Sequence, residues 1–78
     1  MTTQEYDKML IYLNYYSYDR NGEKTISIHY YNYPWYNKPY AITCNGGVAI
    51  MWLSEGEFAQ ACRVCAREHI IIDTINEH

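Results

Sequence analysis

The segment from Leu53 to Phe58 constrains the fold most strongly, because its residue types fix where a helix must begin. Ser54 and Glu57 have the spacing of a capping box, in which the serine hydroxyl and the glutamate carboxylate each accept from an N–H of the first turn. Leu53 and Phe58 flank the cap as a hydrophobic staple. The segment therefore predicts a helix that begins after Ser54 and runs to about His69.

Apolar and small residues recur at helical spacing along this predicted helix and indicate which of its faces is buried. The face comprises Phe58, Ala61, Cys62, Cys65, Ala66 and His69. Because most of these side chains are small, the helix backbone can lie close to a sheet. The β-branched residues that follow favour a final strand over residues 70–75.

The dipeptide Asn21-Gly22 predicts a hairpin turn, since both residues tolerate the positive φ of a two-residue loop. The flanking segments, residues 8–18 and 25–33, have the composition of strands. Pairing across this turn places Tyr18 opposite Thr25 and, further along, Tyr12 opposite Tyr31. In that register one face is mainly aliphatic, while the other, solvent-exposed face carries Tyr12, Tyr16, Tyr18, His29 and Tyr31.

The remaining segments complete an α+β domain. Two prolines exclude residues 33–40 from a central strand and predict an ordered loop rich in aromatic residues. Residues 40–44 and 48–53 predict a second hairpin around Asn45-Gly46-Gly47. Its second strand is apolar on both faces and is expected to be central in the sheet or otherwise covered. We therefore expect a single domain over residues 1–78, a small antiparallel sheet in the order ββββαβ with one helix packed across one face.

Charge and cysteine content narrow the function classes. A net charge of −3 without a basic stripe makes nucleic acid an unlikely partner. Three cysteines, an odd number, argue against a disulfide framework and favour a reducing compartment. No signal peptide or run of membrane-spanning length is recognised, so we expect a cytoplasmic protein that does not contact membranes.

Catalytic and metal chemistry receive little support from the residue spacing. Cys62, Cys65 and His69 can share a helical face and, with Cys44, could form a zinc site. The alternative, which we favour, is that the thiols are small buried groups and that no cofactor or metal is bound. No nucleophile, base and orienting group have a recognisable spacing, so we expect a protein that is not an enzyme.

Tyrosine is the most unusual feature of the composition, because all ten tyrosines lie between Tyr6 and Tyr40. Exposed tyrosine and tryptophan are typical of binding hot spots. We predict a site for a protein partner, with Trp35 as its anchor, formed by Tyr12, Tyr16, Tyr18, His29, Tyr31, Tyr33, Trp35 and Tyr36. The alternatives are a homodimer, cross-strand stabilisation of the sheet, or binding of single-stranded nucleic acid or a small ligand. The hairpin part of this site depends on residues 8–18 being extended.

In size, mild acidity and surface aromatics such as Tyr33, Trp35 and Tyr36, the chain resembles the short inhibitors that phages encode against host defences, including the anti-CRISPR proteins. The resemblance covers the whole chain and rests on no specific motif. It implies that the protein acts in the host cytoplasm by occluding a site on a host defence complex.

Overall fold

The computed structural model describes residues 1–44 and 47–77. Its elements are α1 (Thr3–Tyr15), β1 (Tyr18–Arg20), β2 (Glu23–Tyr31), β3 (Tyr40–Cys44), β4 (Val48–Leu53), α2 (Glu55–Arg67) and β5 (Ile71–Glu77). The α+β class and the order ββββαβ are confirmed, with an additional helix before the first strand. Neither helix is long and apolar enough to cross a membrane.

Strand β2 is the centre of the sheet. Thr25 is in register with both Tyr18 of β1 and Ile71 of β5, so these two strands lie on opposite edges of β2. Strand β3 pairs with the later part of β2 on the same edge as β1, and β4 pairs with β3. The contacts are antiparallel except that β5 runs parallel to β2. The prediction that β4 is central is wrong, because β4 pairs with β3 alone and is an edge strand, as β1 and β5 are.

The prediction of a strand over residues 8–18 is wrong, because Thr3–Tyr15 forms helix α1. Thr2 caps this helix: its hydroxyl accepts from the N–H of Glu5, whose carboxylate accepts from the N–H of Thr2, both at 3.1 Å. Met9 and Leu13 lie one helical turn apart and are fully buried. Burial of this i, i+4 pair, together with the cap, outweighs the strand preference of the neighbouring tyrosines and isoleucine.

The predicted turn and its register are confirmed over a shorter hairpin. Asn21 and Gly22 have φ values of 55° and 82°, as a two-residue loop of this type requires. The β1–β2 pairs run from Tyr18 opposite Thr25 to Arg20 opposite Glu23. Beyond Tyr18 the predicted pairing stops, since the preceding residues belong to the turn after α1.

Helix α2 begins as predicted but presents a different face to the core. The N–H of Ser54 donates to Glu57 at 2.8 Å, and the N–H of Glu57 donates to the Ser54 hydroxyl at 3.2 Å. The helix ends at Arg67, and His69 adopts a left-handed φ of 58°. The predicted buried stripe is partly wrong: Cys62, Ala66 and His69 are exposed, and Val64 is buried instead. The reason is the unexpected helix α1, since Val64 lies in the same core cluster as Met9 and Leu13 of that helix.

Both helices cover the same face of the sheet. They bury Ile26, Ile28, Ile42 and Leu53 of the strands in one cluster with Met9, Leu13, Ala61, Val64, Cys65 and Ile70. Side chains alternate along a strand, so the neighbours of these core residues point to the opposite side. We call this opposite side, which neither helix covers, the open face.

Candidate functional site

The open face carries a group of aromatic side chains where β2 meets the following loop. Because Ile28 belongs to the core, alternation places His29 and Tyr31 on the open face, where their rings are neighbours. The centroid of the Tyr31 ring lies 5.2 Å from that of Trp52. Trp52 follows the same rule in β4, since Leu53 is in the core. Ala41 of β3 lies between His29 and Trp52 in register, and its small side chain leaves room for the larger rings.

The loop between β2 and β3, residues 32–39, extends this group. Its two ends are joined where the N–H of Tyr31 donates to the carbonyl of Pro39 at 2.8 Å. Inside the loop, the N–H of Tyr36 donates to the carbonyl of Tyr33 at 3.1 Å and closes a turn. This turn holds the rings of Tyr33 and Trp35 nearly parallel, at 12°, with centroids 5.0 Å apart.

These rings form one connected surface, which we call the aromatic surface. Its members are His29, Tyr31, Tyr33, Trp35, Tyr36 and Trp52. Ring centroids in contact are between 5.0 and 6.2 Å apart along the whole series. Trp35 is 79% exposed, so the largest side chain of the loop projects into solvent while its neighbours support it. The sequence prediction that this loop is ordered and displays Trp35 is consistent with this arrangement.

Lys38 fixes the loop to both helices. Its ammonium group lies 3.2 Å from a carboxylate oxygen of Glu57 in α2 and 3.9 Å from one of Glu5 in α1. Burial raises the pKa of Glu57, but hydrogen bonds from Ser54 and Lys38 outweigh it and hold that pKa below its ordinary value. The positive charge of Lys38 is therefore paired with carboxylates of the two helices.

The predicted site residues fall into two groups, and His29 contributes to both. His29, Tyr31, Tyr33, Trp35 and Tyr36 belong to the aromatic surface, whereas Tyr12 lies on α1 and contacts the ring of Tyr16 at 5.8 Å. The predicted tyrosine face of a long first hairpin does not exist, because most of its first strand is helical. Tyr16 and Tyr18 instead line a cavity of about 200 Å³ together with His29, Ser27, Thr43, Cys44 and Gly47.

Trp52 is the member of the aromatic surface that the sequence prediction missed. The prediction treated β4 as covered on both faces, which removed its side chains from consideration. The signal that could have identified Trp52 is its position next to Leu53, the staple residue, which must point toward the helix.

The cysteines are not arranged as the alternative zinc site would require. Cys65 is buried and Cys62 is exposed, so the two thiols of the C-x-x-C segment point to different environments. Burial raises the pKa of Cys65 to about 11. Among residues 1–44 and 47–77 no group of three or more histidine, cysteine, aspartate or glutamate side chains is arranged to hold a metal ion. The proposed set of Cys44, Cys62, Cys65 and His69 is therefore not supported.

Comparison of the chain with protein-family models, curated proteins and solved structures finds no match in any of the three.

Proposed function

We propose that this protein is a non-enzymatic binding module that docks on a protein partner through its aromatic surface. The observation that supports this proposal is the continuous series of ring contacts from His29 to Trp35, with Trp35 79% exposed at its end. Tyrosine and tryptophan have few rotatable bonds, so a partner that covers them gains contact area at a small cost in conformational entropy.

The charges around the aromatic surface favour a protein partner over nucleic acid. Lys38 is paired with Glu57 and Glu5, away from the rings. Arg20 is the cation that strand alternation places on the open face, and it pairs with Asp73 at 3.1 Å. A surface that stacks bases needs cations to hold the phosphates, and these two are already engaged.

We propose that the mode of action is occlusion: a small rigid surface covers a site on a larger protein or complex. A host defence complex is the target class that the resemblance to phage inhibitors suggests. The setting we propose is a reducing one such as the cytoplasm, since Cys44, Cys62 and Cys65 are thiols and not disulfides.

The test compares partner capture by the wild-type chain with capture by Trp35→Ala and Tyr33→Ala. Truncation of a hot-spot residue costs about 2 kcal/mol or more, which is roughly a 30-fold loss of affinity. The control is Ile11→Ala, which removes a side chain that is 60% exposed on α1. A partner retained by the control and lost by both surface variants supports the proposal, and equal capture by all four proteins contradicts it.

Single-stranded nucleic acid is the second candidate, because the parallel pair Tyr33 and Trp35 has the geometry of a base-stacking platform. A salt titration separates it from the first. Oligonucleotide affinity should fall steeply with salt, whereas docking on a protein through uncharged rings should change little. Absence of oligonucleotide binding at low salt removes this candidate.

A further inference from the structure

Beside the short β1, the edge strands β4 and β5 differ in how well they are protected against pairing with another chain. An edge strand presents unpaired N–H and C=O groups, and proteins commonly block such edges with bulges, charges or prolines. Strand β4 has this protection: its pairing with β3 shifts register between Ile42 and Thr43, which marks a bulge or irregularity.

Strand β5 has no comparable protection among its described side chains. All seven of its residues pair in parallel register with β2, and no bulge interrupts the pairing. Residues 71–76 contain no proline or lysine, and Asp73, the charged side chain among them, is paired with Arg20. Over residues 71–76 the outer edge of β5 is therefore regular, and its carboxylate, that of Asp73, is paired.

The sequence of β5 is also complementary to itself in antiparallel pairing. If Thr74 faces Thr74 of a second copy, Asp73 lies opposite Ile75 and Ile72 lies opposite Asn76. No two carboxylates of these residues face each other across the pair, so the arrangement avoids the repulsion that like charges cause in opposed positions. The partly exposed Ile71 and the half-buried Ile75 supply apolar contact beside the hydrogen bonds.

We propose that β5 is a self-association edge, through which two copies of the chain pair antiparallel about a twofold axis at Thr74. The dimer joins two sheets into one and keeps both open faces on the same side. It would therefore present two aromatic surfaces on one side, and a partner with two matching sites within reach would bind more tightly than a partner with one. The contact uses no residue of the aromatic surface, so it stands or falls independently of the proposed function.

Sedimentation equilibrium of the full chain between about 5 and 500 µM tests the dimer, a range suited to an interface smaller than the standard size. The wild-type chain is expected to approach twice the monomer mass. Thr74→Lys places two ammonium groups opposite each other and should weaken dimerisation about five-fold or more. Val48→Lys is the matched control, because Val48 is 60% exposed on the irregular edge strand β4 and its replacement should leave the dimer unchanged.

A mixture of Thr74→Lys with Thr74→Glu provides the rescue, since opposite charges then face each other and the mixed dimer should form. Circular dichroism of each variant confirms that it is folded. The proposal is overturned if the wild-type chain stays monomeric over the whole range, if Val48→Lys weakens the dimer as much as Thr74→Lys, or if the mixture fails to associate.

Discussion

Replacement of Lys38 by methionine should destabilise the protein by about 1.5 kcal/mol, and the estimate follows from the burial of its partner. Exposed ion pairs contribute about 0 to 1 kcal/mol, whereas loss of one member of a fully buried pair costs about 3 to 5 kcal/mol. The pair with Glu57 lies between these limits, because the Glu57 side chain is 10% exposed and that of Lys38 is 34% exposed. Glu57 also keeps its hydrogen bond from Ser54, which limits the loss.

The destabilisation should depend on pH in a defined direction. The pKa of Glu57 in the folded protein lies below its ordinary value of 4.5, so its charge stabilises the fold above that pH. This contribution is lost as pH falls through the folded pKa and Glu57 becomes neutral. The difference between wild type and Lys38→Met should therefore be constant from pH 7 to about 5 and shrink below pH 4.5.

Thermal and urea denaturation at several pH values measure this effect. At pH 7 a loss of about 1.5 kcal/mol lowers the melting temperature by roughly 6 to 12 °C in a domain of this size. Arg67→Met is the control, since Arg67 forms an exposed ion pair with Glu68 at 3.6 Å and its loss should cost less than about 0.5 kcal/mol. Equal effects of the two substitutions, or a Lys38→Met effect that persists undiminished at pH 3, would refute the reasoning.

Three further substitutions or modifications test the fold. Leu13→Ala should lower the unfolding free energy, measured in urea, by about 3 kcal/mol because this side chain is fully buried. Ile11→Ala should lower it by less than about 0.5 kcal/mol because Ile11 is exposed. Similar losses at both positions would instead fit an extended strand. Gly22→Ala should cost about 1 kcal/mol, since its φ of 82° disfavours a side chain although none would clash there, and an unchanged midpoint would contradict this. A thiol reagent at pH 8 should modify the exposed Cys62 well before the buried Cys65, whose pKa is raised to about 11, as mass spectrometry of single-cysteine variants would show; faster reaction of Cys65 would contradict the burial.

The parts of the fold that could be predicted are those determined by local chemistry. The capping box at Ser54 and the Asn21-Gly22 turn both depend on neighbouring residues, and both occur where predicted. Helix α1 could not be recognised with the same ease, because its tyrosines and isoleucine favour strands. Thr2 and Glu5 do carry a second capping box, but only the tertiary burial of the core side of α1 decides in its favour.

The candidate site was predictable where it depends on exposure and unpredictable where it depends on topology. Prolines exclude residues 33–40 from a central strand, so the display of Trp35 follows from local sequence. The contact between Tyr31 and Trp52 joins two strands separated by β3, and no local pattern reports which strand lies at an edge. The sequence places Tyr12 on a strand because the same tyrosines and isoleucine that favour strands conceal helix α1.

The parallel pairing of β5 with β2 has a consequence for synthesis on the ribosome. Strand β2 leaves the exit tunnel well before β5, which is the last element of the order. Until β5 is available, the edge of β2 that it covers has no neighbour, and the nascent protein carries a temporary site for misassembly that β5 removes. Slow translation of the β5 segment should therefore prolong the stage at which this polypeptide is exposed to misassembly.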